Sequence, residues 1–398
     1  MNLYVLRATL RNPKHPECGE MTLPFPIPEA QYNAILGMLL TIQMGDVLQR
    51  DCLVTRLDSD FPALQCLEQQ TVNFDELDYL SSRLESFVPE ERLQFCAAVE
   101  GLGYSNMTDL INLTFCCQEA TVISDFANLE EEGKEHYLNL HGGSALTEEL
   151  EKLDGQRIAE ELIRTGHGIV TRFGVLYKND MELKPLYEEK SFPAYVYEPK
   201  ILDAFVYRED DPETPLAFVQ LPMPEAKVRR TLVRAGIEPQ VPVSLSTENS
   251  LFPACVTELL KERFHSLEEW NDVCRGAALL SYSDQRKLEA VLKFAKPDDP
   301  AQVRQLAQPD MLALFSFLPR VAFPADGARC LINESGCYQF DEILGRYSNY
   351  SDFGQRWIEE HPGEFLEEGY VSYDGIVPLD ELLHRSVQTE EYEMGGIV

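Results

Sequence analysis

The chain has 398 residues, of which 67 are Asp or Glu and 34 are Lys or Arg, so its formal net charge is −33. An acidic excess of this size raises self-repulsion in the folded state, and it excludes a conventional nucleic-acid-binding protein, which needs a basic face. With 44% hydrophobic and 10% aromatic residues, the chain can bury real cores and is not a disordered acidic tail.

The excess charge lies in two tracts. Residues 46–151 hold 22 acidic and 5 basic residues (net −17), and residues 334–398 hold 15 and 3 (net −12), so 29 of the 33 excess charges fall there. At one charge per roughly 1.7 Å of duplex axis, 33 charges correspond to about 55 Å of DNA, or about 16 base pairs. Two interpretations stay open: solvated helix faces with an acidic tail, or a functional surface for a basic partner. The confinement to two tracts favours the functional surface.

The first ten residues predict a β-strand and not an export signal. Residues 3–10 (LYVLRATL) are rich in apolar and β-branched side chains, and no charged leader or cleavage motif accompanies them. No apolar run approaches the 18 residues of a membrane span. The ten cysteines form no C-x-x-C, and no cluster of histidines accompanies them. We therefore expect reduced thiols, no metal site, no membrane association and a cytoplasmic location.

The chain contains three collinear internal matches. Residues 26–30 (PIPEA) match 222–226 (PMPEA), and the acidic stretch FDEL at 74–77 matches LEEW at 267–270. Gly-Gln-Arg at 155 and at 354 is followed in both places by Glu-Glu. The offsets are 196, 193 and 199 residues, which predicts a tandem duplication of a unit of about 195 residues, joined within 192–212.

Each predicted unit begins with a strand and a helix that starts at Pro-Glu-Ala, where proline and glutamate suit the first helical turn. A helical hairpin follows. In the first unit Asn73 caps one helix and Pro89 opens the next; in the second unit Ser266 and Glu269 form a capping box.

Each unit closes with a helix and a pair of strands. In the first unit an acidic segment starts at Thr147 and continues as a helix through residues 156–163, and strands follow at 169–171 and 175–177. In the second unit the strands are 370–373 and 376–377. Strands at both ends and helices between them predict the α+β class, elongated overall.

The duplication divides the chain into six subdomains. Each unit has an opening α+β subdomain, a helical subdomain and a closing α+β subdomain, the last with an acidic tail. The predicted ranges are 1–70, 71–145 and 146–195 in the first unit, and 196–263, 264–325 and 326–398 in the second.

Motifs of catalysis are not found. The run Gly101-Leu102-Gly103 lacks the third glycine of a dinucleotide loop and predicts a helix C-cap instead. His136 and His141 are five residues apart, which is not the spacing of a zinc protease helix. We therefore expect a protein that is not an enzyme and has no cofactor, and an active site hidden between the repeats stays as the alternative.

Four segments resemble one known family. The segments are 76–80 (ELDYL), 115–118 (FCCQ), 138–144 (LNLHGGS) and 394–396 (MGG). They are similar to the long ArdA-type antirestriction proteins of conjugative elements in gut Firmicutes, and the likeness extends over essentially the whole chain.

The resemblance implies a DNA mimic. Members of this family consist of small α+β domains in a row and dimerise into a curved acidic rod shaped like bent B-DNA. They occupy the DNA groove of type I restriction–modification enzymes, so that incoming mobile DNA escapes cleavage. The resemblance implies a methyltransferase or specificity subunit as partner, with no direct binding of nucleic acid. The predicted duplication departs from the family pattern. We expect the protein to be either a pseudo-dimer within one chain or a homodimer.

Carboxylates are the candidate partner-binding groups, because a rigid array of them can satisfy the Lys and Arg side chains that otherwise contact DNA phosphates. The alternative is an acidic adaptor or structural protein that binds a basic partner of the conjugation machinery. The candidates in the first unit are Asp75, Glu76, Asp78, Glu85, Glu90, Glu91, Glu130, Glu131, Glu132, Glu135, Glu148, Glu149, Glu151, Glu160 and Glu161. Those in the second unit are Glu359, Glu360, Glu364, Glu367, Glu368, Asp374, Asp380 and Glu381.

Overall fold

The computed structural model describes residues 4–334 and 349–384. The chain divides into two compact units. Unit 1 comprises Met1–Pro193 and Arg229–Gly236, and unit 2 comprises Ala194–Val228 and Ile237–Val398.

Unit 1 opens with a four-stranded antiparallel sheet of order β2-β1-β3-β4. In β1 the side chains of Leu6, Ala8 and Leu10 are buried while Arg7 is exposed, the alternation that a strand with one covered face produces. The first predicted strand is therefore present, but it begins at Leu6 and not at residue 3, which lies outside the described residues. The elements of this layer are β1 (Leu6–Arg11), β2 (Glu20–Phe25), α1 (Tyr32–Thr41), β3 (Cys52–Ser59) and β4 (Thr71–Val72).

A helical layer follows in unit 1. The side-chain oxygen of Asn73 accepts hydrogen bonds from the backbone N–H groups of Asp75 and Glu76, which confirms the predicted N-cap. Pro89 opens the next helix, and Gly103 ends it in the left-handed conformation (φ 72°), as predicted. The helices are α2 (Phe74–Glu85), α3 (Pro89–Leu102) and α4 (Met107–Leu113).

Unit 1 closes with a three-stranded antiparallel sheet of order β5-β7-β6 and three helices. Both predicted strands are confirmed. The helix predicted to continue from Thr147 is interrupted, because Asp154 caps a new helix by accepting a hydrogen bond from the backbone N–H of Arg157. The elements are β5 (Thr121–Ile123), α5 (Leu129–Leu140), α6 (Thr147–Leu150), α7 (Gly155–Thr165), β6 (Ile169–Thr171) and β7 (Gly174–Tyr177).

Unit 2 begins with a three-stranded antiparallel sheet of order β10-β8-β9. Its first strand lies inside the segment 192–212 that was predicted as a join, so that segment is not all linker. The second half of the following helix, Arg229–Gly236, belongs to unit 1. The elements are β8 (Leu202–Arg208), β9 (Ala217–Leu221), α8 (Glu225–Arg234), β10 (Val243–Ser250) and α9 (Ala254–Glu262).

The helical layer of unit 2 starts at Ser266, whose side chain accepts a hydrogen bond from the backbone N–H of Glu268. Trp270, Val273 and Ala277 are buried along one face, as their spacing predicts. The helices are α10 (Leu267–Ala278), α11 (Tyr282–Ala295), α12 (Pro300–Leu306) and α13 (Pro309–Leu312).

Unit 2 closes with an antiparallel sheet of order β11-β13-β12. The strand predicted at 376–377 is absent. Both edges of β13 are already paired, and Ile376 is fully exposed, so no partner strand is available to it. The elements are β11 (Phe315–Pro319), α14 (Pro324–Arg329), α15 (Tyr350–Glu360), β12 (Gly363–Leu366) and β13 (Gly369–Tyr373).

The mixed α+β class is confirmed, with four small antiparallel sheets among the described residues. Across the same residues, every helix is too short or too polar to cross a lipid bilayer.

Candidate functional site

The structure sorts the 23 candidate carboxylates by exposure. Four are buried: Asp75, Glu76, Asp78 and Glu132. Four are half-buried: Glu91, Glu130, Glu135 and Glu368. The other fifteen are exposed: Glu85, Glu90, Glu131, Glu148, Glu149, Glu151, Glu160, Glu161, Glu359, Glu360, Glu364, Glu367, Asp374, Asp380 and Glu381.

Asp75 forms a buried ion pair in unit 1. Its two carboxylate oxygens accept hydrogen bonds from Nε and Nη2 of Arg230, both at 2.8 Å. The hydroxyl of Tyr32 donates a third bond at 3.2 Å. A two-pronged bond of this kind fixes the guanidinium in one orientation. Asp75 therefore stabilises the interior of unit 1 and is not part of a partner-binding surface.

Arg234 lies one helical turn beyond Arg230 and belongs to the same buried cluster. It donates to Oδ1 of Asn73 at 2.6 Å and to the hydroxyl of Tyr187 at 2.8 Å. The prediction from sequence missed both arginines. Their i, i+4 spacing, which places them on one face of α8, was the available signal.

Glu76 and Asp78 are also buried and bonded. Glu76 accepts from the hydroxyl of Tyr187 at 2.9 Å and lies 3.5 Å from Nε of Arg50. Asp78 accepts from the backbone N–H of Ile27 at 2.7 Å. An interior carboxylate is tolerated only where such donors replace water, so the prediction that these two acids face a partner is wrong.

Glu132 is the fourth correction. One of its oxygens accepts hydrogen bonds from the backbone N–H groups of Ser124 at 3.0 Å and Asp125 at 2.6 Å. The side chain thereby closes the loop between β5 and α5. The acidic run Glu130-Glu131-Glu132 thus divides, because successive helical residues point in different directions.

Two helices of unit 1 form a scaffold for exposed acids. Helices α5 and α7 meet at Gly133 and Gly155, where a Cβ on Gly133 would lie 1.8 Å from the carbonyl oxygen of Gly155. Glu130 accepts a hydrogen bond from the backbone N–H of Gln156 at 3.0 Å and pairs with Lys134 at 2.7 Å. The close crossing fixes the positions of the acids on both helices.

The acids of α3 and α5 act on one another. The pKa of Glu135 is raised by burial and by the neighbouring charges of Glu132, Glu90 and Glu131. Burial is the largest cause of this shift, and the repulsion from the three neighbouring carboxylates adds to it. This part of unit 1 therefore concentrates negative charge around Glu135.

The candidates of unit 2 lie on α15, on the β12–β13 hairpin and in the segment that follows β13. Gly354 packs against the backbone of Pro324, where a Cβ would lie 1.9 Å from the carbonyl oxygen. Glu359 and Glu360 are exposed at the C-terminal end of α15. Glu368 forms an ion pair with Lys293, so the sequence prediction of an available acid at 368 is not supported.

Most exposed candidates have no cationic partner. Among the described residues, thirteen of the fifteen form no ion pair with a Lys, Arg or His; several accept hydrogen bonds from neutral groups, such as Glu149 from the hydroxyl of Tyr137. The thirteen are Glu90, Glu131, Glu148, Glu149, Glu151, Glu160, Glu161, Glu359, Glu360, Glu364, Glu367, Asp374 and Asp380.

The cysteine and histidine side chains of Cys96, Cys116 and His136 are buried. Burial raises the pKa of Cys96 and of Cys116 to about 11, so both are thiols at neutral pH. Burial lowers the pKa of His136, whose Nδ1 lies 2.8 Å from the hydroxyl of Thr121. Within residues 4–334 and 349–384, no group of three His, Cys, Asp or Glu side chains is placed to hold a metal ion.

The chain was compared with known proteins. A scan against protein-family models finds no match, and a search of curated proteins finds no significant relative.

Proposed function

We propose that this protein is a DNA mimic that occupies the DNA-binding groove of a type I restriction–modification enzyme and so protects incoming mobile DNA. The observation that carries the proposal is the set of thirteen exposed carboxylates without an ion-pair partner among the described residues. The resemblance to ArdA-type proteins supports the choice of target.

The physical basis is electrostatic substitution. A DNA-binding surface holds Lys and Arg side chains that neutralise phosphates, and its affinity comes largely from the release of counterions. Carboxylates without internal cations keep their charge available for such side chains. The folded protein tolerates their mutual repulsion, which favours a role for the charge outside the molecule.

We also propose that the chain arose by tandem duplication and presents two related acidic units. The first sheets of the two units have the corresponding strand orders β2-β1-β3 and β9-β8-β10, and the last sheets have β5-β7-β6 and β11-β13-β12. Asp78 accepts a hydrogen bond from the backbone N–H of Ile27, and Asn271 accepts one from that of Met223, at offsets of 193 and 196 residues. These correspondences support the duplication.

A competition experiment tests the function. Purified protein should displace a labelled DNA duplex from a type I methyltransferase, and the inhibition should weaken steeply as salt concentration rises. The variant Glu131→Gln/Glu148→Gln/Glu161→Gln removes three exposed charges from unit 1. We expect it to inhibit roughly tenfold less well, because each exposed ion pair contributes about 0.2–1 kcal/mol.

The matched control removes the same number of charges elsewhere. The variant Glu209→Gln/Glu213→Gln/Glu238→Gln changes exposed acids outside the candidate set, so it has the same net charge and should inhibit like the parent protein. Equal losses in both variants would show that only net charge matters. A failure to displace DNA, or tight binding to DNA itself, would overturn the proposal. Capture of a conjugation protein without any restriction subunit would support the adaptor alternative.

A further inference from the structure

Unit 2 contains a surface cavity whose lining is unusual for so acidic a protein. The cavity has a volume of about 290 Å³ and is lined by the first turns of α11 and by β11. This volume is at the lower end of the range for small-molecule sites. The lining residues are Ser283, Asp284, Arg286, Lys287, Phe317 and Pro319.

Two cations of this lining have carboxylates near them but no close partner: the charge of Arg286 acts on Glu368, and the charges of Asp284 and Asp374 act on Lys287. Among the described residues, neither Arg286 nor Lys287 forms a hydrogen bond or an ion pair. Elsewhere in unit 2, Lys293, Arg275 and Arg329 are each paired with a carboxylate. Lys261, Lys296 and Arg356 of unit 2 also form no described ion pair, but they are exposed, whereas Arg286 and Lys287 are half-buried and line one cavity.

The environment of Lys287 makes its unpaired state costly. The side chain is half-buried, and burial lowers its pKa, although the charges of Asp284 and Asp374 oppose that shift. A partly desolvated ammonium without a hydrogen-bond partner is unfavourable, and an anion bound beside it would offset the cost. The guanidinium of Arg286, with its five donors, is suited to phosphate oxygens.

The remaining lining adds two further kinds of contact. Phe317 and Pro319 supply apolar surface to one wall of the cavity, and an aromatic ring attracts a flat ligand group. Asp284 accepts a hydrogen bond from the hydroxyl of Ser281 at 2.7 Å and has a second carboxylate oxygen that can accept from a ligand hydroxyl. The cavity therefore combines an anion site, an apolar wall and a hydroxyl acceptor.

We propose that this cavity binds a small phosphate monoester with a flat group and hydroxyls, of the size of a nucleoside monophosphate. Arg286 and Lys287 hold the phosphate, Phe317 and Pro319 contact the flat group, and Asp284 accepts from a hydroxyl. A free nucleotide is the expected source and a strand end is not, because the net charge of −33 repels a polyanion far more than a single phosphate. The charges of the candidate acids Glu368 and Asp374 act on Arg286 and Lys287. The binding of a monophosphate and the displacement of DNA are nevertheless measured in separate experiments, so either proposal can fail without the other.

Calorimetric titration of the full-length protein tests the proposal. Adenosine 5′-monophosphate is the probe, and adenosine and a 5′-phosphorylated single strand are titrated in parallel. We expect saturable binding of the monophosphate, with adenosine binding at least about tenfold more weakly because it lacks the charged group. The strand should bind no more tightly than the monophosphate.

Matched variants locate the site. Lys287→Gln should weaken the binding of the monophosphate about tenfold, and Phe317→Leu should weaken it less. Lys261→Gln removes an exposed lysine of α9 and should leave the affinity unchanged. A circular dichroism melt of each variant shows that it is folded.

Three results would overturn the proposal. The first is the absence of saturable binding of the monophosphate, and the second is equal affinity in the Lys287→Gln variant while that variant remains folded. The third is markedly tighter binding of the strand, which would assign the cavity to nucleic-acid ends. None of these results depends on the methyltransferase competition experiment.

Discussion

The buried and the exposed carboxylates of unit 1 come from the same acidic tract, yet they have opposite effects on the fold. Asp75 is buried and bonded to Arg230 and Tyr32, whereas Glu90, fifteen residues later, is exposed and adds to the repulsion felt by Glu135. The difference lies in the donors that the fold supplies. The comparison shows that the net charge of −33 overstates the charge available to a partner, because some acids are buried and bonded to side chains inside the protein.

The largest effect is expected from the substitution of a buried carboxylate. Asp75→Asn should reduce the free energy of unfolding by about 3–5 kcal/mol, because it leaves the guanidinium of Arg230 buried without its counter-charge. Chemical denaturation of the full-length protein measures the loss. Glu90→Gln, from the exposed group, should change stability by no more than about 0.5 kcal/mol.

A double variant separates the pair from its environment. Asp75→Asn combined with Arg230→Met removes both charges and should recover much of the stability that the single substitution loses. If Asp75→Asn alone is as stable as the parent protein, the ion pair does not hold the interior of unit 1 together.

The next effect concerns the scaffold of the exposed acids. Gly133→Ala should destabilise the protein by about 1–3 kcal/mol, because the added Cβ would lie 1.8 Å from the carbonyl oxygen of Gly155 and force α5 and α7 apart. Thermal and chemical unfolding measure the change.

Gly37→Ala in α1 is the matched control. A Cβ at that position meets no atom within 4 Å, and alanine favours helix, so this variant should be more stable by up to about 1 kcal/mol. A Gly133→Ala variant that also gains stability would show that the crossing of α5 and α7 is loose.

The smallest effect is expected from the acids that repel one another near the surface. Glu135→Gln should raise stability by about 0.5 kcal/mol at pH 7, because it removes a partly buried charge and its repulsion from Glu132, Glu90 and Glu131. The pKa of Glu135 is raised in the folded state, so its proton stabilises the fold at low pH and that contribution is lost as pH rises through the folded pKa.

The pH dependence is the measurement for this variant. The advantage of glutamine should be present at neutral pH and should vanish as the pH falls towards the ordinary glutamate pKa of about 4.3. Glu148→Gln, whose carboxylate has no described ion pair or hydrogen bond, serves as control and should show little change with pH. A constant advantage at all pH values would contradict the repulsion assigned to Glu135.

Much of the local structure was predictable from single residues. Asn73 begins α2 and Gly103 ends α3, because capping depends on a side chain and a backbone conformation at one position. The strand predicted at 376–377 failed because a strand needs a free neighbouring edge, and local sequence carries no information about whether β13 is already paired on both sides.

The candidate site was predicted less well than the fold. Asp75, Glu76, Asp78 and Glu132 look like surface acids in the sequence, since Asp and Glu are almost never fully buried unless paired. Their partners are distant in sequence: Arg230 is 155 residues from Asp75, and Tyr187 is 111 residues from Glu76. No local pattern indicates such a pairing, so the sequence alone wrongly predicted these acids to be exposed.

The sequence by itself determined the sign and amount of charge, the mixed α+β class and the ends of several helices, because these depend on composition and on contacts within a few residues. Only the tertiary structure decided which carboxylates are exposed and which are bonded inside, and it alone brought Arg286 and Lys287 together with Phe317 around one cavity. The physical reason is that the environment of an ionisable side chain is set by long-range packing. Whether a charge faces water, an arginine or a cavity is fixed only when distant segments meet.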